Sequence, residues 1–381
     1  MMIVRVIGAL ARPALAGGVL TASAAGGIFA FNHFRDNGGT AFQQLQGAGP
    51  RLVVSEFANR SDTIVAVDPN DVSSHTTIAS IDHAQGFGIF ATLSPAGDAI
   101  AYTALPPDTA RPEPDAPAQA AVVGADGNTT LLADDIDLLV PPVWSPDGQS
   151  IVVRKNTPSA DSAGAFVLLL LGLDGSRTTI TTWQSASIFP IAFAPDGSKL
   201  YYATLNADGS DLYSVAPDGT GETKLAHLSD QITRDWTLSP DASEIAYTES
   251  ISGATPQLTV KRIDLATGEI SLAVPGDATQ AQFNPAWAAD GRLTVGAVLP
   301  AGGGEAITIG TDGETTVLTA ADAEMDLPLA WSADGSELAT RVVAGKTPFE
   351  AGPSHVEMID GTGARQRVSD SADVLVVGWL R

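Results

Sequence analysis

Few residues in the chain have the types and spacing that catalysis or metal binding requires. The histidines are scattered and none stands at a convincing metal-ligand spacing from carboxylates: His33, His75, His83, His227 and His355. There is no cysteine, which excludes disulfides, thiolate chemistry and cysteine-based zinc or iron–sulfur sites. The sequence also lacks a G-x-S-x-G nucleophile elbow, a P-loop and a dinucleotide-binding fingerprint. We therefore expect no metal, no cofactor and no enzymatic activity.

One acidic stretch resembles a metal-binding loop. Residues Asn206–Asp211 read NADGSD, and oxygen-rich segments of this kind bind calcium. The same letters suit a tight turn between two strands. We interpret the stretch as a hairpin turn.

The charge of the chain limits its partners. Beyond residue 49 there are 17 Lys and Arg against 43 Asp and Glu, a net charge of −26. Such a body repels nucleic acid and anionic lipid at long range. We expect no nucleic-acid partner, and membrane contact only through the N-terminal segment.

The N-terminal segment indicates export. Arg5 and Arg12 precede an uncharged run of 19 residues from Pro13 to Phe31, long enough to cross a bilayer as a helix. Ala22-Ser23-Ala24 also fits a signal-peptide cleavage pattern. Residues 1–31 are thus predicted to be an uncleaved hydrophobic anchor helix or, alternatively, a cleaved signal peptide. Residues 32–49 are predicted to be a tether, and residues 50–381 the folded domain.

A motif recurs six times in that domain. The copies read LSPAGDAIAYT, WSPDGQSIVVR, FAPDGSKLYYA, LSPDASEIAYT, WAADGRLTVGA and WSADGSELATR, and they begin at Leu93, Trp144, Phe193, Leu238, Trp287 and Trp331. Successive copies start 51, 49, 45, 49 and 44 residues apart. A fixed internal period of this length is typical of repeat architectures.

Each copy predicts a strand, a tight turn and a second strand. Pro presets φ in the turn, the Asp side chain bonds nearby backbone, and Gly accepts a positive φ. Ala242 replaces this Gly in the fourth copy, and Ala289 and Ala333 replace Pro in the last two, so we expect looser turns there. A third and a short fourth strand follow each motif. Four antiparallel strands per repeat match the blade of a β-propeller.

The repeats resemble the propeller repeats of TolB and of the non-catalytic domain of prolyl-oligopeptidase-type peptidases, over roughly residues 50–381. The resemblance implies an all-β propeller of four-stranded antiparallel blades. It implies no particular function, because this fold carries many unrelated roles. We expect neither the hydrolase domain of the peptidases nor the α/β domain of TolB in this chain.

The two ends of the domain predict a seventh blade. Residues 51–55, 63–68 and 76–80 resemble strands two to four of a blade that lacks its first strand. Residues 373–380 (DVLVVGWL) resemble a first strand with nothing after it. Trp379 follows Trp331 by 48 residues, in register with the large apolar residues that begin the six motif copies, which we call the blade anchors. Pairing the two ends closes a ring of seven blades and removes an open sheet edge. A six-bladed ring with stray end strands is the alternative.

One face of the propeller is predicted to carry the variable loops, the longest being Leu105–Ala118, and variable loops on a rigid scaffold often bind ligands. The innermost strands begin on this face. Polar or bulky residues at those starts are therefore expected to surround the mouth of the central channel: Phe189, Arg234, Asp235, Asn284 and Asp326. Arg234 and Asp235 alternatively pair with each other.

These observations predict an exported, monomeric, non-enzymatic scaffold that binds a protein, peptide or glycan. It would lie at the outer face of a bacterial cytoplasmic membrane if anchored, and in the periplasm or outside the cell if cleaved. The alternative is a propeller enzyme of the lactonase or lyase type acting at the channel mouth. A tight cluster of histidines and carboxylates at the mouth would favour the enzyme.

Overall fold

The computed structural model describes residues 38–45, 47, 49–157, 164–251, 257–274, 281–298, 303–319, 324–345, 352–369 and 373–380. These residues form seven four-stranded antiparallel sheets, each a propeller blade. Blade 1 contains strands β1–β3 and β28, and blades 2 to 7 contain four consecutive strands each, from β4–β7 to β24–β27. The predicted all-β, seven-bladed propeller is confirmed, and the six-bladed alternative is excluded.

The strands have these bounds in chain order: β1 (Arg51–Phe57), β2 (Ser61–Asp68), β3 (Asp71–Asp82), β4 (Phe90–Leu93), β5 (Ile100–Ala104), β6 (Ala118–Val123), β7 (Thr129–Ile136), β8 (Val143–Trp144), β9 (Ser150–Thr157), β10 (Ala165–Gly172), β11 (Arg177–Trp183), β12 (Ser187–Phe193), β13 (Leu200–Asn206), β14 (Gly209–Val215), β15 (Thr223–Ser229), β16 (Ile232–Leu238), β17 (Glu244–Ile251), β18 (Gln257–Asp264), β19 (Ile270–Leu272), β20 (Ala281–Trp287), β21 (Leu293–Val298), β22 (Gly304–Ile309), β23 (Thr315–Thr319), β24 (Glu324–Trp331), β25 (Glu337–Ala344), β26 (Ser354–Asp360), β27 (Arg365–Arg367) and β28 (Val374–Leu380).

Blade 1 is built from both ends of the domain. Strand β28 pairs antiparallel with β1, from Arg51 opposite Leu380 to Glu56 opposite Val374. Strand β28 is therefore the innermost strand of this blade, and β3 is the outermost. The ring closes as the sequence predicts, with no unpaired edge between the first and last blades.

Tryptophan anchors at the ends of the innermost strands tie neighbouring blades together. The indole N–H groups of Trp144, Trp287 and Trp379 each donate to a main-chain carbonyl of the preceding blade's innermost strand, at 3.2, 3.3 and 3.1 Å. The accepting residue in each case directly precedes that blade's own anchor: Thr92, Thr237 and Ala330. Trp331 instead donates to the Thr294 hydroxyl at 3.1 Å. The recurrence of these residues in the sequence thus reflects packing between blades.

The turns after the anchors share one geometry, including the fourth copy. Ala242 has a φ of 56°, and Gly148 at the matching position has a φ of 68°. The N–H of each residue donates to the carbonyl three residues earlier, at 2.9 Å in both turns. Ala242 therefore keeps the turn unchanged, in a backbone conformation that an L side chain disfavours. The expectation of a looser turn at this position is wrong.

A short helix, α1 (Gly38–Leu45), precedes the first strand. Phe42 and Leu45 are buried in an apolar cluster with Val53 and Ile64 of blade 1. The helix lies within the range predicted as a tether, so this part of that range packs against the propeller. The predicted anchor or signal segment, residues 1–31, lies outside the described residues. Among the residues that the structure does describe, no helix is long and apolar enough to cross a membrane.

Candidate functional site at the channel mouth

Five of the innermost strands contain a β-bulge two or three residues before the anchor. The pairing register shifts around Ile191, Asp235-Trp236, Asn284-Pro285, Leu329 and Val377. A bulge adds one residue to a strand and reorients the side chains beside it. Of the predicted site residues, Asp235 and Asn284 lie within bulges and Arg234 lies directly before one, so the bulges set the directions of these side chains.

Phe189 is half-buried and belongs to an aromatic contact between blades 4 and 5. Its ring lies 5.5 Å from that of Trp236, measured between centroids. The guanidinium of Arg154 covers the Phe189 ring at 4.6 Å. The Arg154 Nη2 atom also lies 2.6 Å from a carboxylate oxygen of Asp137. A buried ion pair and a cation–π contact thus hold the Phe189 ring in position, while the Trp236 indole N–H donates to the Thr233 hydroxyl at 3.0 Å.

Arg234 and Asp235 are neighbours in blade 5 and lie close to each other. Arg234 Nε is 3.5 Å from Asp235 Oδ2, and the two side chains are 13% and 33% exposed. Burial raises the pKa of the Asp235 carboxyl, and the charge of Arg234 offsets this only in part. Asp235 also has a φ of 55°, a left-handed conformation that Asp and Asn tolerate better than most residues. The predicted pairing is present, and it leaves the carboxylate partly accessible.

Asn284 is the counterpart of Asp235 in blade 6. It stands three residues before its anchor, as Asp235 does, and has a φ of 50°. Its side chain is half-buried. The neighbouring blades 5 and 6 therefore place two hydrogen-bonding side chains at equivalent bulges of their innermost strands.

Asp326 does not belong to the mouth. It is fully buried, and its carboxylate oxygens lie 2.9 and 2.6 Å from the two terminal nitrogens of Arg365 in β27. Arg365 also pairs with Glu357, which in turn contacts His355 at 2.9 Å. The expectation that Asp326 surrounds the channel mouth is wrong, because its carboxylate is fully buried in the ion pair with Arg365.

A second polar cluster, which no sequence pattern indicates, lies between blades 1 and 2. Asp62 is fully buried and accepts hydrogen bonds from the Ser55 hydroxyl at 3.0 Å and the Ile89 N–H at 3.1 Å. His83 Nε2 lies 2.9 Å from the same carboxylate, and its Nδ1 lies 2.9 Å from the Ala84 carbonyl. The Asp62 carboxylate and the Ala84 carbonyl both face ring nitrogens as acceptors, which favours the doubly protonated, imidazolium form of His83.

This arrangement is structural in its geometry. The Asp62 carboxylate lies between Ser55 and His83 and binds both. His83 therefore makes no direct hydrogen bond to the Ser55 hydroxyl and is not placed to deprotonate it. Burial alone would lower the pKa of His83, but hydrogen bonds to Asp62 and Ala84 outweigh it and the pKa is raised. His75 lies apart from this cluster, exposed in β3 and bound to the Val72 carbonyl.

The acidic stretch Asn206–Asp211 is a hairpin turn, as interpreted. Strand β13 ends at Asn206 and pairs there with Gly209, the first residue of β14. The side chain of Asp211 is engaged by Lys224 at 2.8 Å and by His227 at 2.7 Å. Within the described ranges, no group of three or more His, Cys, Asp and Glu residues is arranged to hold a metal ion.

Sequence comparison finds short similarities to known proteins. No protein-family model matches the chain. A TolB protein of the Tol-Pal system from Anaeromyxobacter dehalogenans is 28% identical over 99 residues, which are 26% of this chain and 21% of that protein. Dipeptidyl-peptidase 5 of Porphyromonas endodontalis is 26% identical over 140 residues, 33% of this chain and 20% of that protein. The matches thus span about a fifth of the length of each relative.

Structural comparison extends the likeness to most of the domain. A prolyl endopeptidase structure aligns with a TM-score of 0.58 and 14% identity, over 89% of this chain and 52% of that chain. The oligogalacturonate lyase of Vibrio parahaemolyticus aligns with a TM-score of 0.52 and 10% identity, over 82% of this chain and 92% of that chain. Identities this low show the fold alone. Together with the repeats and the TolB similarity, they confirm the predicted resemblance: the chain is a seven-bladed β-propeller with TolB-like repeats.

Proposed function

We propose that the chain is a binding scaffold that recognises a protein, peptide or glycan at its loop-rich face and channel mouth. The observation that carries this proposal is the fixed contact between Phe189 and Trp236, next to the accessible carboxylate of Asp235. We further propose that it acts as an exported monomer. No chemical step is part of this function.

The mouth has the features of a preorganised recognition surface. Aromatic rings supply a large contact area at low entropic cost and stack on sugar or peptide groups. Arg154 holds the Phe189 ring, and a hydrogen bond to Thr233 holds Trp236, before a ligand arrives, so little ordering is needed on binding. Asp235 and Asn284 add hydrogen-bonding groups with different preferences, because a carboxyl group in its ionised form only accepts and an amide also donates.

The relatives support a binding role and also offer the competing one. TolB is named for the Tol-Pal system, whereas dipeptidyl-peptidase 5 and prolyl endopeptidase are named as enzymes. The structural alignment with the oligogalacturonate lyase includes 92% of the lyase chain. A lyase acting on acidic sugars at the channel mouth is therefore the second candidate function.

One set of variants distinguishes the two functions. The purified domain is applied to glycan and peptide arrays as wild type, Asp235→Asn and the control Asp126→Asn, an exposed turn residue of blade 2. We expect Asp235→Asn to weaken binding of the recognised ligand at least tenfold and the control to leave it unchanged. Oligogalacturonate is incubated with the same proteins in parallel. Release of unsaturated sugar by the wild type, lost in Asp235→Asn, would replace the scaffold with the lyase.

Export is tested separately. Residues 1–49 are fused to a reporter enzyme that is active only outside the cytoplasm, with Arg5 and Arg12 changed to Glu in a matched control. We expect activity from the wild-type leader and loss of it in the control. An inactive wild-type fusion would refute export, and a mature N-terminus at Ala25 would establish cleavage.

A further inference from the structure

A cleft of about 450 Å³ opens between blades 3 and 4 on the face opposite the channel mouth. Its floor is apolar and is formed by Leu170 and Phe193. Its walls come from the turns that follow the anchors and from one turn between outer strands: Ser145, Pro146, Asp147, Ser150, Pro195, Asp196, Gly197 and Pro217. The cleft therefore combines an aromatic floor with two carboxylates at its rim. Because it lies on the opposite face, binding in this cleft is independent of the proposed function.

The equivalent junction between blades 6 and 7 is filled by an arginine of the chain itself. The Arg292 guanidinium lies 4.7 Å from the centroid of the Trp331 ring. Its Nε donates to the Asp290 carboxylate at 2.7 Å, and its Nη2 donates to the Gly335 carbonyl at 2.9 Å. The guanidinium of Arg292 thus binds a turn aspartate and a turn carbonyl through hydrogen bonds and also stacks on an aromatic anchor.

The same three partners recur at the junction of blades 3 and 4. The turn aspartate there is Asp147, the turn glycine of the next blade is Gly197 and the aromatic anchor is Phe193. The anchor Trp144 pairs with Ile151 in blade 3, and the anchor Trp287 pairs with Leu293 in blade 6. The residue before this partner is Ser150 in blade 3 and Arg292 in blade 6. The junction therefore has the receptor groups of its counterpart without the arginine.

Both rim carboxylates are ionised at neutral pH. Asp147 accepts hydrogen bonds from the Ser145 hydroxyl and the Gln149 N–H, and these lower the pKa of its carboxyl. Asp196 accepts two bonds from Ser198, which lower its pKa in the same way. These bonds use one carboxylate oxygen of each residue, Oδ1. A cation entering the cleft would meet the other oxygen.

We propose that the cleft between blades 3 and 4 is a docking site for an arginine side chain of a partner protein. The guanidinium lies over Phe193, donates to the Asp147 carboxylate and donates to the Gly197 carbonyl, as Arg292 does at its own junction. Lysine fits less well, because a single ammonium cannot stack on the ring while it donates in two fixed directions. The partner is a protein that presents a basic loop or tail to this strongly acidic domain.

The test uses three short peptides and the isotope-labelled domain. The peptides are identical except for a central arginine, lysine or citrulline, the last being a neutral isostere of arginine. Titrations followed by amide NMR spectra should show shifts at Ser150 and Gly197 with the arginine peptide. We expect the lysine and citrulline peptides to bind at least five- and tenfold more weakly, and added salt to weaken the arginine peptide.

Three variants locate the site. Ser150→Arg places an arginine where blade 6 has one, and should abolish peptide binding by filling the cleft from within. Asp147→Asn should weaken binding at least tenfold, while Asp290→Asn, at the filled junction, should leave it unchanged. The well-dispersed spectrum of each variant reports that it is folded. Equal affinity for arginine and citrulline, or binding that survives in a folded Ser150→Arg variant, would overturn the proposal.

Discussion

Trp379 and Leu52 lie directly opposite each other in the ladder that joins β28 to β1. Both side chains are buried in one apolar cluster with Ala339 and Met358 of blade 7. The pair therefore links the two ends of the domain and, at the same time, the first blade to the last.

Removal of strand β28 is predicted to destabilise the protein severely. Deletion of residues 373–381 exposes the edge of β1 and the apolar cluster around Leu52. The single change Trp379→Ala should cost about 3–5 kcal/mol of unfolding free energy, which is a large share of a typical total of about 5–15 kcal/mol. Urea unfolding and size-exclusion chromatography measure both effects.

A loop deletion provides the control for that experiment. Leu105 and Ala118 are buried, so only the segment between them, residues 107–115, should be removed. Shortening this loop should change the unfolding midpoint little, because closure entropy depends weakly on loop length. A truncation at residue 372 that unfolds at the parent midpoint and remains monomeric would contradict the closure.

The buried His83–Asp62 pair is predicted to make stability fall as the solution becomes alkaline. The pKa of His83 is raised in the folded protein above its ordinary value of 6.5. The stabilisation is therefore fully present below about pH 6.5, and it is lost as the pH rises through the folded pKa. His83→Gln should remove this dependence and cost about 3–5 kcal/mol, because Asp62 is left as an uncompensated buried charge.

His227→Gln is the matched control. The pKa of His227 is also raised, by hydrogen bonds to Asp211 and Asp230, but its side chain is 44% exposed. Its removal should change stability far less. Unfolding free energies measured from pH 5.5 to 9 in both variants test the assignment, and a His83→Gln protein that keeps the wild-type slope would contradict it.

Asp326 is predicted to matter for stability and not for ligand binding. Asp326→Asn keeps the shape of the side chain but removes one of the two carboxylates that compensate Arg365, the other being Glu357. We expect a loss of about 1.5–3 kcal/mol by urea unfolding, because a buried charge-assisted hydrogen-bond pair is weakened. Arg177→Gln, which breaks a pair between side chains that are 41% and 40% exposed, should cost less than about 1 kcal/mol. If both changes lowered the unfolding free energy equally, burial of Asp326 would not make its ion pair more important for stability than an exposed pair.

Ala242→Gly is predicted to stabilise the protein. The left-handed conformation costs an alanine about 1–2 kcal/mol. Glycine avoids that cost but loses about 0.4–1 kcal/mol through the greater freedom of the unfolded chain. The net gain should be about 0.5–1 kcal/mol in unfolding free energy. Gly148→Ala, at the matching turn with no atom near the added carbon, should lose a similar amount. Urea midpoints that are unchanged in both variants would contradict the prediction that the left-handed backbone of this turn disfavours alanine.

The fold is predictable from the sequence because its signals are local. Anchor spacing and the turn letters define each blade, and the strand that Trp379 marks completes the count. Long-range partners are not predictable in this way. Arg365 lies 39 residues after Asp326, in the outermost strand of its blade, and His83 lies 21 residues after Asp62. Neither separation follows a period of the repeat, so only the packed blades bring these groups together.

The site is predictable in part for the same reason. Phe189, Arg234, Asp235 and Asn284 all lie in innermost strands, and that position follows from the repeat. Asp235 and Asn284 are each the fourth of seven strand residues, so they lie in the middle of the strand and not at its start. The bulges that contain them are not visible in the motif. The role of Trp236 is not predictable from the repeat, because no other copy has a tryptophan two residues before its anchor.

The composite blade also imposes an order of events on synthesis. Strands β1, β2 and β3 are made before the other strands of the propeller, yet their blade lacks its innermost strand until β28 is made. This part of the domain must therefore wait with one open edge while the six intervening blades are produced. Pairings between such distant segments form slowly. The propeller consequently stays open, and accessible to a chaperone, until β28 has left the ribosome.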